Sequence, residues 1–447
     1  MLLRFTVENF KSLRDRAVLS MIPSKVSRHK DHVISAKNRN DIGALKTSII
    51  YGANASGKSN LIKAMRHAQL LITEGKRAGQ SLPYDPFKLD KDTKSYPSRF
   101  EFEIKCNDVN YAYGFIADHK IIHEEWLFQI DKSQEHPIYE RSAKGIDLSG
   151  LLKQAKSEED KNFLNFTHLG TPENRLFLFE CFERNIFKQL SYLTCLQDVF
   201  SWFRDKLKIL FPHSKYHGLE MELYEENKTS RHLTNILNDF DTGVSGLKLN
   251  SIDFENETDL PIEFKERIAE ELEDNEVIFI TTHENRFQIV RNKQGEIVAH
   301  KLMASHIDSD GDEVLFDLTQ ESDGTQRLLD LAPGLIELMH KDYVYVIDEL
   351  DRSLHPDITT TLVSSFLSRT CGNNSQLIVT THETSLLNLD LLRRDEIWFT
   401  SKNKQGSSKV YSLEEYKPRF DKDVRKAYLS GRFGAIPQIK QLLESLE

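Results

Sequence analysis

A glycine-rich segment near the N-terminus contains the residues with the clearest chemistry. Residues 52–59, Gly52-Ala-Asn-Ala-Ser-Gly-Lys58-Ser59, fit G-x-x-x-x-G-K-[ST] at every fixed position. In this pattern the glycines let the main chain wrap around a phosphate, and N–H groups at a helix N-terminus supply positive potential. We expect Lys58 to reach the β- and γ-phosphates of a nucleotide and Ser59 to bind Mg²⁺. The predicted binding residues are Gly52, Asn54, Ala55, Ser56, Gly57, Lys58, Ser59 and Asn60, with Lys58 also catalytic.

A pair of carboxylates follows an apolar run much later in the chain. Residues 344–347, VYVI, suit a buried parallel strand, and Asp348 and Glu349 come directly after it. Ligands of α/β sheets bind at the carboxyl ends of the strands. We expect Asp348 to hold Mg²⁺ through water and Glu349 to polarise an attacking water. An apolar strand that ends in Asp-Glu is common and usually structural, but together with the glycine-rich segment it predicts a nucleotide hydrolysis site.

Two shorter segments are further candidates. The apolar run 377–381 ends at His382, which we interpret as a sensor of the γ-phosphate; the alternative is a histidine whose contacts are only structural. Ser322-Asp323-Gly324 comes just before an apolar helical pattern. Ser322 could be only an N-cap, although helix N-termini also bind phosphate.

Strands and helices must position these segments. Alternating or β-rich runs predict strands within residues 1–20, 47–51 and 99–130 and from 276 onward, and apolar spacing predicts a helix over 61–72. Apolar residues at spacings of three and four predict one long amphipathic helix over 182–211. Residues 308–313, DSDGDE, have the wrong glycine position for an EF-hand calcium loop and predict a hairpin turn.

Composition excludes several classes of protein. The chain has 447 residues with 39% hydrophobic and 29% charged residues, and its formal net charge is −10. This is typical of a globular protein, argues against a general nucleic-acid coat, and contains no apolar run near the ~20 residues of a membrane span. Cys106, Cys181, Cys195 and Cys371 are scattered, which favours a reducing cytoplasm over a disulfide framework or a zinc ligand set.

The order of these motifs resembles the ABC-type ATPase heads, and most closely the RecF, SMC and Rad-fifty branch. The opening residues 5–12, FTVENFKS, resemble that branch as well. The resemblance implies ATP and Mg²⁺ as cofactors, and a dimer in which Ser322 and Gly324 complete the ATP site of a second copy. Residues 350–356, LDRSLHP, look like the D-loop at the same contact, and this makes Asp351 a further binding residue.

Several longer segments are similar to ATPases of bacterial abortive-infection and phage-defence operons, relatives of the OLD family. They include residues 321–328, 348–356, 381–387 and 428–437. That resemblance implies control of a separate effector protein, a nuclease. Only about 65 residues follow His382, too few for the Toprim nuclease domain of OLD proteins.

This sequence departs from the family pattern at two places. The usual Q-loop glutamine is not evident: Gln80 lies near its place, but Pro86-Phe87 stands where this subgroup has its corresponding segment. The signature reads Ser-Asp-Gly, so that Asp323 adds negative charge beside the expected γ-phosphate and is expected to slow hydrolysis.

The resemblance predicts an α/β fold of the ABC-ATPase head type, in which a mixed β-sheet lobe joins a parallel sheet with flanking helices. We expect the two halves of the core at 1–140 and 276–447, with a mainly helical insertion at 141–275; the insertion and the C-terminal tail are the expected partner surfaces.

The favoured function is a cytoplasmic, oligomeric ATPase that acts as sensor and scaffold in defence, without a membrane partner. One alternative is a RecF-like head that binds DNA, through basic clusters such as residues 25–30 and Arg393-Arg394. Another is an antitoxin-like cage in which ATP is structural.

Overall fold

The chain folds into two compact units. The computed structural model describes residues 1–447 except 217, 218, 220, 222–227, 275, 371, 421 and 437–447. Unit 1 comprises Met1–Phe211, Lys341–Leu350 and Thr360–Glu447, and unit 2 comprises Pro212–His340 and Asp351–Thr359. Cys371 and the end of the expected C-terminal partner surface therefore lie outside the described residues.

The first sheet of unit 1 is antiparallel and has seven strands in the order β10-β9-β8-β7-β6-β1-β2. Its alternating sequence places Phe100, Phe102 and Ile104 in the core, as expected for strands with one buried face. The strands predicted within 1–20 and 99–130 are confirmed. The strands are β1 (Leu2–Glu8), β2 (Ala17–Ser20), β6 (Ser98–Cys106), β7 (Val109–Ala117), β8 (Ile122–Ile130), β9 (Glu135–Ser142) and β10 (Gly145–Asp147).

The second sheet of unit 1 has six strands in the order β11-β17-β18-β5-β19-β20. The first five are parallel, and β20 runs antiparallel to β19. Its strands are β5 (Thr47–Gly52), β11 (Leu207–Leu210), β17 (Val344–Ile347), β18 (Gln376–Thr380), β19 (Ile397–Lys402) and β20 (Ser408–Ser412), and β3 (Val33–Ile34) and β4 (Ala44–Leu45) pair separately. An antiparallel sheet beside a largely parallel sheet with flanking helices confirms the predicted α/β fold, although the lobe expected to be mixed is antiparallel throughout its seven strands.

The helices of unit 1 surround these sheets. They are α1 (Lys58–Thr73), α2 (Ser149–Gln154), α3 (Glu158–Leu169), α4 (Phe177–Glu183), α5 (Ile186–Gln189), α6 (Thr194–Ser201), α10 (Pro356–Arg369, in unit 1 from Thr360) and α11 (Val424–Leu429). Cys106, Cys181 and Cys195 are buried free thiols. Among the described residues, no helix is both long and apolar enough to cross a membrane.

The single long helix predicted over 182–211 is wrong. Asn185 adopts a left-handed conformation after α4, two short helices and a π-helical turn follow, and Leu207–Leu210 form strand β11. The apolar spacing did indicate which side chains face the core, but tertiary contacts determine the secondary structure of the segment. Gln69 of α1 donates hydrogen bonds to the main-chain oxygens of Phe203 and Leu207, and β11 pairs with β17.

Unit 2 contains a smaller antiparallel sheet. Its strands are β12 (Gly246–Ile252), β13 (Val277–Thr281), β14 (Arg286–Arg291), β15 (Ile297–Ile307) and β16 (Glu313–Asp317), and its helices are α7 (Lys228–Asp239), α8 (Ile262–Glu271) and α9 (Asp323–His340). The strands expected from 276 onward are confirmed. The hairpin turn is confirmed too, because Asp308 N–H donates to the Asp312 carbonyl between β15 and β16, with Gly311 at φ 89°.

The compact units do not follow the boundaries predicted at 140 and 275. Residues up to Phe211 belong to unit 1, because their aromatic side chains complete the core of the seven-stranded sheet. Phe203 packs edge-on against Phe102 at 5.0 Å, and Phe177 packs against Tyr139 at 5.0 Å. The expected C-terminal half is divided as well, since residues up to His340 belong to unit 2.

Candidate functional site

The predicted phosphate loop joins β5 to α1 in unit 1, as its sequence requires. Gly57 has φ 112°, and a Cβ there would lie 2.3 Å from Ser408 Oγ. A Cβ on Gly52 would lie 2.4 Å from Thr400 Oγ1. Both positions therefore need glycine, because a side chain would collide with strands β19 and β20. The exposed residues Asn54 and Ala55 form the outer part of the loop.

Lys58 lies inside this loop. The side chain is only 5% exposed, and Nζ donates hydrogen bonds to the carbonyl oxygens of Gly52 at 2.8 Å and Ala53 at 3.3 Å. The loop thus holds an ammonium group within its own curve, which is the charge that a phosphate site needs.

Hydroxyl groups support the loop from behind. Ser56 and Thr400 share a hydrogen bond of 2.6 Å between their hydroxyls, and Ser408 Oγ donates to the Ser56 carbonyl at 2.7 Å. Asn60, predicted to bind nucleotide, donates its amide to Ser12 Oγ at 2.7 Å. Sequence reasoning missed Thr400 and Ser408, because they come more than 340 residues after Ser56 and become its neighbours only through the pairing of β5 with β19.

The two predicted Mg²⁺ ligands meet at the carboxyl edge of the same sheet. Ser59 Oγ donates to Asp348 Oδ1 at 3.1 Å, and Asp348 is only 2% exposed. Thr380 Oγ1, at the end of the neighbouring strand β18, donates to the same carboxylate oxygen at 2.6 Å. The hydroxyl and the carboxylate are thus close enough to bind one ion.

Thr380 also fixes the main chain of Glu349. The Glu349 N–H donates to Thr380 Oγ1 at 2.8 Å, and Glu349 has φ 52°, which is unfavourable for a residue other than glycine. The surrounding contacts hold this conformation, and it sets the half-buried carboxylate at the edge of the sheet. Thr380 was not predicted; its signal was its position at the end of a strand beside the Asp-Glu strand.

His382 lies at the same edge. It follows β18 and is exposed. Because β17, β18 and β5 are adjacent and parallel, their carboxyl ends bring His382, Glu349 and the phosphate loop to one side of the sheet.

The N-terminal turn 9–12 connects the phosphate loop to residues 85–87, within the segment expected in place of the Q-loop. Ser12 receives the Asn60 amide, while Asn9 Oδ1 accepts the Phe87 N–H at 3.1 Å. Lys11 forms an ion pair with Asp85, and its N–H donates to the Asp85 carbonyl at 2.7 Å.

His67 lies beneath this turn. Its ring is 5.0 Å from that of Phe10 and 5.2 Å from that of Phe100. Burial lowers the pKa of the His67 imidazole to about 4, with a smaller contribution in the same direction from the Lys11 ammonium and an opposing one from the Asp85 carboxylate. For Gln80, the residue near the expected place of the Q-loop glutamine, the main-chain carbonyl accepts a hydrogen bond from the Asn174 amide at 2.8 Å.

Ser322, Gly324 and Asp351 belong to unit 2. Ser322 Oγ accepts the Thr325 N–H at 3.1 Å at the start of α9, so it is an N-cap, the alternative considered from the sequence. A Cβ on Gly324 would lie 2.8 Å from the Ser353 carbonyl. The signature-like segment and the D-loop-like segment therefore touch each other.

Arg393 does not serve as a phosphate contact. It is only 1% exposed, pairs with Asp395 at 2.8 Å, and donates to the carbonyls of Val26 and Arg28. Arg394 pairs with Glu414 at 3.0 Å. The interpretation of Arg393-Arg394 as a nucleic-acid cluster is wrong, because both charges stabilise the fold of unit 1.

Residues 48–388, more than half of the chain, match the family described as "AAA domain, putative AbiEii toxin, Type IV TA system", and the chain belongs to that family. No curated protein matches it significantly.

Solved structures similar to the chain include SMC heads. The SMC head domain from Thermotoga maritima has 12% identity, covers 92% of this chain and 98% of its own, and gives a TM-score of 0.36. An SmcHead bound to the C-winged helix domain of ScpA has 16% identity, coverage of 93% and 99%, and a TM-score of 0.38. These scores are too low to add to the family match, which supports an ABC/AAA-type ATPase.

Proposed function

We propose that this member of the AAA family binds ATP with Mg²⁺ in unit 1 and hydrolyses it slowly. One observation carries the proposal: Ser59 Oγ donates to Asp348 Oδ1 at 3.1 Å. These side chains come from motifs 289 residues apart, and each was assigned to Mg²⁺ from its own motif. A hydroxyl and a carboxylate are the oxygen donors that Mg²⁺ prefers.

The residues of the loop fit a nucleotide phosphate. The tight turn at Gly52 and Gly57 would present main-chain N–H groups to a phosphate, and the Lys58 ammonium would exchange its contacts with the loop carbonyls for contacts with phosphate oxygens. Bound Mg²⁺ would neutralise phosphate charge and orient the leaving group.

Glu349 is the proposed general base and His382 the proposed γ-phosphate sensor. The support for Glu349 is its fixed main chain, because Thr380 holds both its N–H and the adjacent Asp348 carboxylate. The support for His382 is its exposed position at the same edge of the sheet. A carboxylate that accepts a proton from water contributes roughly 10²–10⁴-fold to such reactions.

ATP is further proposed to close a dimer, with Ser322, Gly324 and Asp351 of one copy completing the site of the other. The contact between Gly324 and the Ser353 carbonyl supports this, because it joins the two segments into one surface of unit 2. Asp323, beside that surface, would slow hydrolysis by repelling the γ-phosphate.

The proposed role is that of a cytoplasmic sensor and scaffold in anti-phage defence, which controls an effector nuclease. The family description, which names a putative AbiEii toxin and a toxin–antitoxin system, supports a role in such an operon. The RecF-like alternative has lost its support from Arg393 and Arg394, because both are paired within unit 1.

The test is Glu349→Gln, compared with Glu140→Gln, an exposed carboxylate on β9. We expect Glu349→Gln to lower phosphate release by on the order of 100-fold or more, to retain ATP, and to accumulate a dimer in light scattering with ATP. Glu140→Gln should behave as the wild type. Wild-type phosphate release by Glu349→Gln would refute the hydrolysis mechanism, and wild-type ATP binding by Lys58→Ala would refute the site.

A further inference from the structure

A second cluster of polar side chains lies at the opposite edge of the six-stranded sheet from Gly52. Across the part of the chain that the structure describes, His29, Asp31 and His32 are the one group of His, Cys, Asp or Glu with three ligand atoms within 4.8 Å of one another. The His32 carbonyl accepts the N–H of Lys46, just before β5. His32 also contacts Glu396, just before the parallel strand β19. Both contacts place the cluster where these parallel strands begin, whereas Gly52 lies where β5 ends.

The partner of His32 determines which ring nitrogen is available. Nδ1 lies 3.0 and 3.1 Å from the two carboxylate oxygens of Glu396, a residue with 0% exposure. A carboxylate accepts hydrogen bonds, so Nδ1 carries the proton, and in the neutral imidazole Nε2 keeps its lone pair. Nε2 faces Asp31 Oδ2 at 4.0 Å, which is too long for a hydrogen bond.

His29 is oriented in the same manner. Its Nε2 lies 3.1 Å from the Leu389 carbonyl, which can only accept, so Nε2 donates and Nδ1 keeps the lone pair. Its ring stacks on that of His32 with centroids 4.9 Å apart, and its backbone has φ 49°. Two imidazoles whose protons are directed to outer acceptors are the arrangement found around protein-bound metals.

We propose that His29, Asp31 and His32 bind one divalent transition-metal ion of the Zn²⁺ class. Two imidazoles and one carboxylate suit Zn²⁺ rather than Mg²⁺. Zn²⁺ lies about 2 Å from each ligand atom, so one ion would span the 4.0 Å between His32 and Asp31 after a small adjustment. The exposed side of Asp31 leaves room for water as a fourth ligand.

The ion would have a structural role. Hydrogen bonds already fasten residues 24–32 to residues 389–396: Ser24 donates to the Asp395 carboxylate, and Arg28 pairs with Asp390 at 2.9 Å. A metal held by His29, Asp31 and His32 would fix the conformation of residues 29–32, and the hydrogen bonds from the two imidazoles to Leu389 and Glu396 would then hold this rigid segment against residues 389–396. The site lies at the opposite edge of the sheet from the proposed ATP site and does not depend on it.

The test uses the tag-free full chain, stripped with a chelator and then titrated with ZnCl₂ in the presence of excess MgCl₂. We expect one Zn²⁺ per chain by elemental analysis after desalting, and a higher melting temperature than in the stripped protein. His29→Gln and Asp31→Asn should each lose most of the bound zinc, whereas Asp390→Asn, a nearby exposed carboxylate outside the cluster, should retain it. Glu396→Gln, at a positioning residue, should weaken zinc binding by roughly 10- to 100-fold.

Two results would overturn the proposal. One is the absence of stoichiometric zinc in the wild type after desalting; the other is equal zinc in the wild type and Asp31→Asn. Because the Asp31 side chain is more than half exposed, Asp31→Asn keeps the test decisive even if His29→Gln fails to fold.

Discussion

Thr380 is the residue whose removal tests the geometry of the proposed hydrolysis site most directly. Thr380→Val keeps the shape of the side chain and removes only the hydroxyl. That hydroxyl donates to Asp348 Oδ1 at 2.6 Å and accepts the Glu349 N–H at 2.8 Å, and the residue is fully buried. The substitution therefore removes two hydrogen bonds and releases the left-handed main chain of Glu349.

The expected loss of stability follows from these two bonds. A hydrogen bond to a charged group contributes about 1.5–3 kcal/mol, and a buried N–H without a partner costs about 1–3 kcal/mol. We therefore expect Thr380→Val to lower the free energy of unfolding by about 3 kcal/mol. The rate of ATP hydrolysis should fall at least tenfold, because Glu349 is no longer fixed at the edge of the sheet.

The matched control is Thr47→Val on β5 in the same sheet. Thr47 is also fully buried, but its hydroxyl donates to the Leu377 carbonyl at 2.8 Å, at the end of the strand away from Gly52. It should lose about 1 kcal/mol and keep its hydrolysis rate. Urea unfolding and steady-state phosphate release measure both effects. If Thr380→Val hydrolyses ATP within twofold of Thr47→Val, Thr380 does not position Glu349 for catalysis.

Two further predictions concern Gly57 in the phosphate loop and His67 beneath the turn 9–12. Gly57→Ala should abolish nucleotide binding in a fluorescent-ATP titration, because its Cβ would lie 2.3 Å from Ser408 Oγ. The control is Gly79→Ala, which also has a positive φ but has nothing within 4 Å of an added Cβ, and it should bind nucleotide normally. Equal nucleotide binding by the two variants would contradict the steric argument. His67 is neutral in the folded protein, with its pKa lowered from 6.5 to about 4, whereas the unfolded chain takes up a proton below pH 6.5. Stability should therefore fall by up to about 3 kcal/mol as the pH falls from 6.5 to 4, and urea unfolding of His67→Phe should lack this part of the pH dependence.

The sequence predicted those parts of the site that depend on neighbouring residues. The phosphate loop and the Asp348-Glu349 pair can each be identified from a segment of at most eight residues, because the loop conformation and the strand end are local properties. The contacts of Thr380, Thr400 and Ser408 with the site were not predicted, since they arise from strand pairing between distant segments. The prediction of a helix over 182–211 was wrong for a related reason. An apolar period shows which side chains are buried, but it does not show whether part of the segment pairs with a distant strand, as β11 does with β17.

The turn 9–12 connects the phosphate loop to residues 85–87, where the sequence led us to expect the counterpart of the Q-loop. Ser12 touches the loop side through the Asn60 amide and the Ser408 main chain and hydroxyl. Three residues earlier, Asn9 accepts the Phe87 N–H. Asn9 and Lys11 both have φ 51°, an uncommon conformation for residues other than glycine, which the hydrogen bonds of the turn hold in place. The turn therefore connects the phosphate loop to Phe87 through the side chains of Ser12 and Asn9, and to Asp85 through the main chain of Lys11.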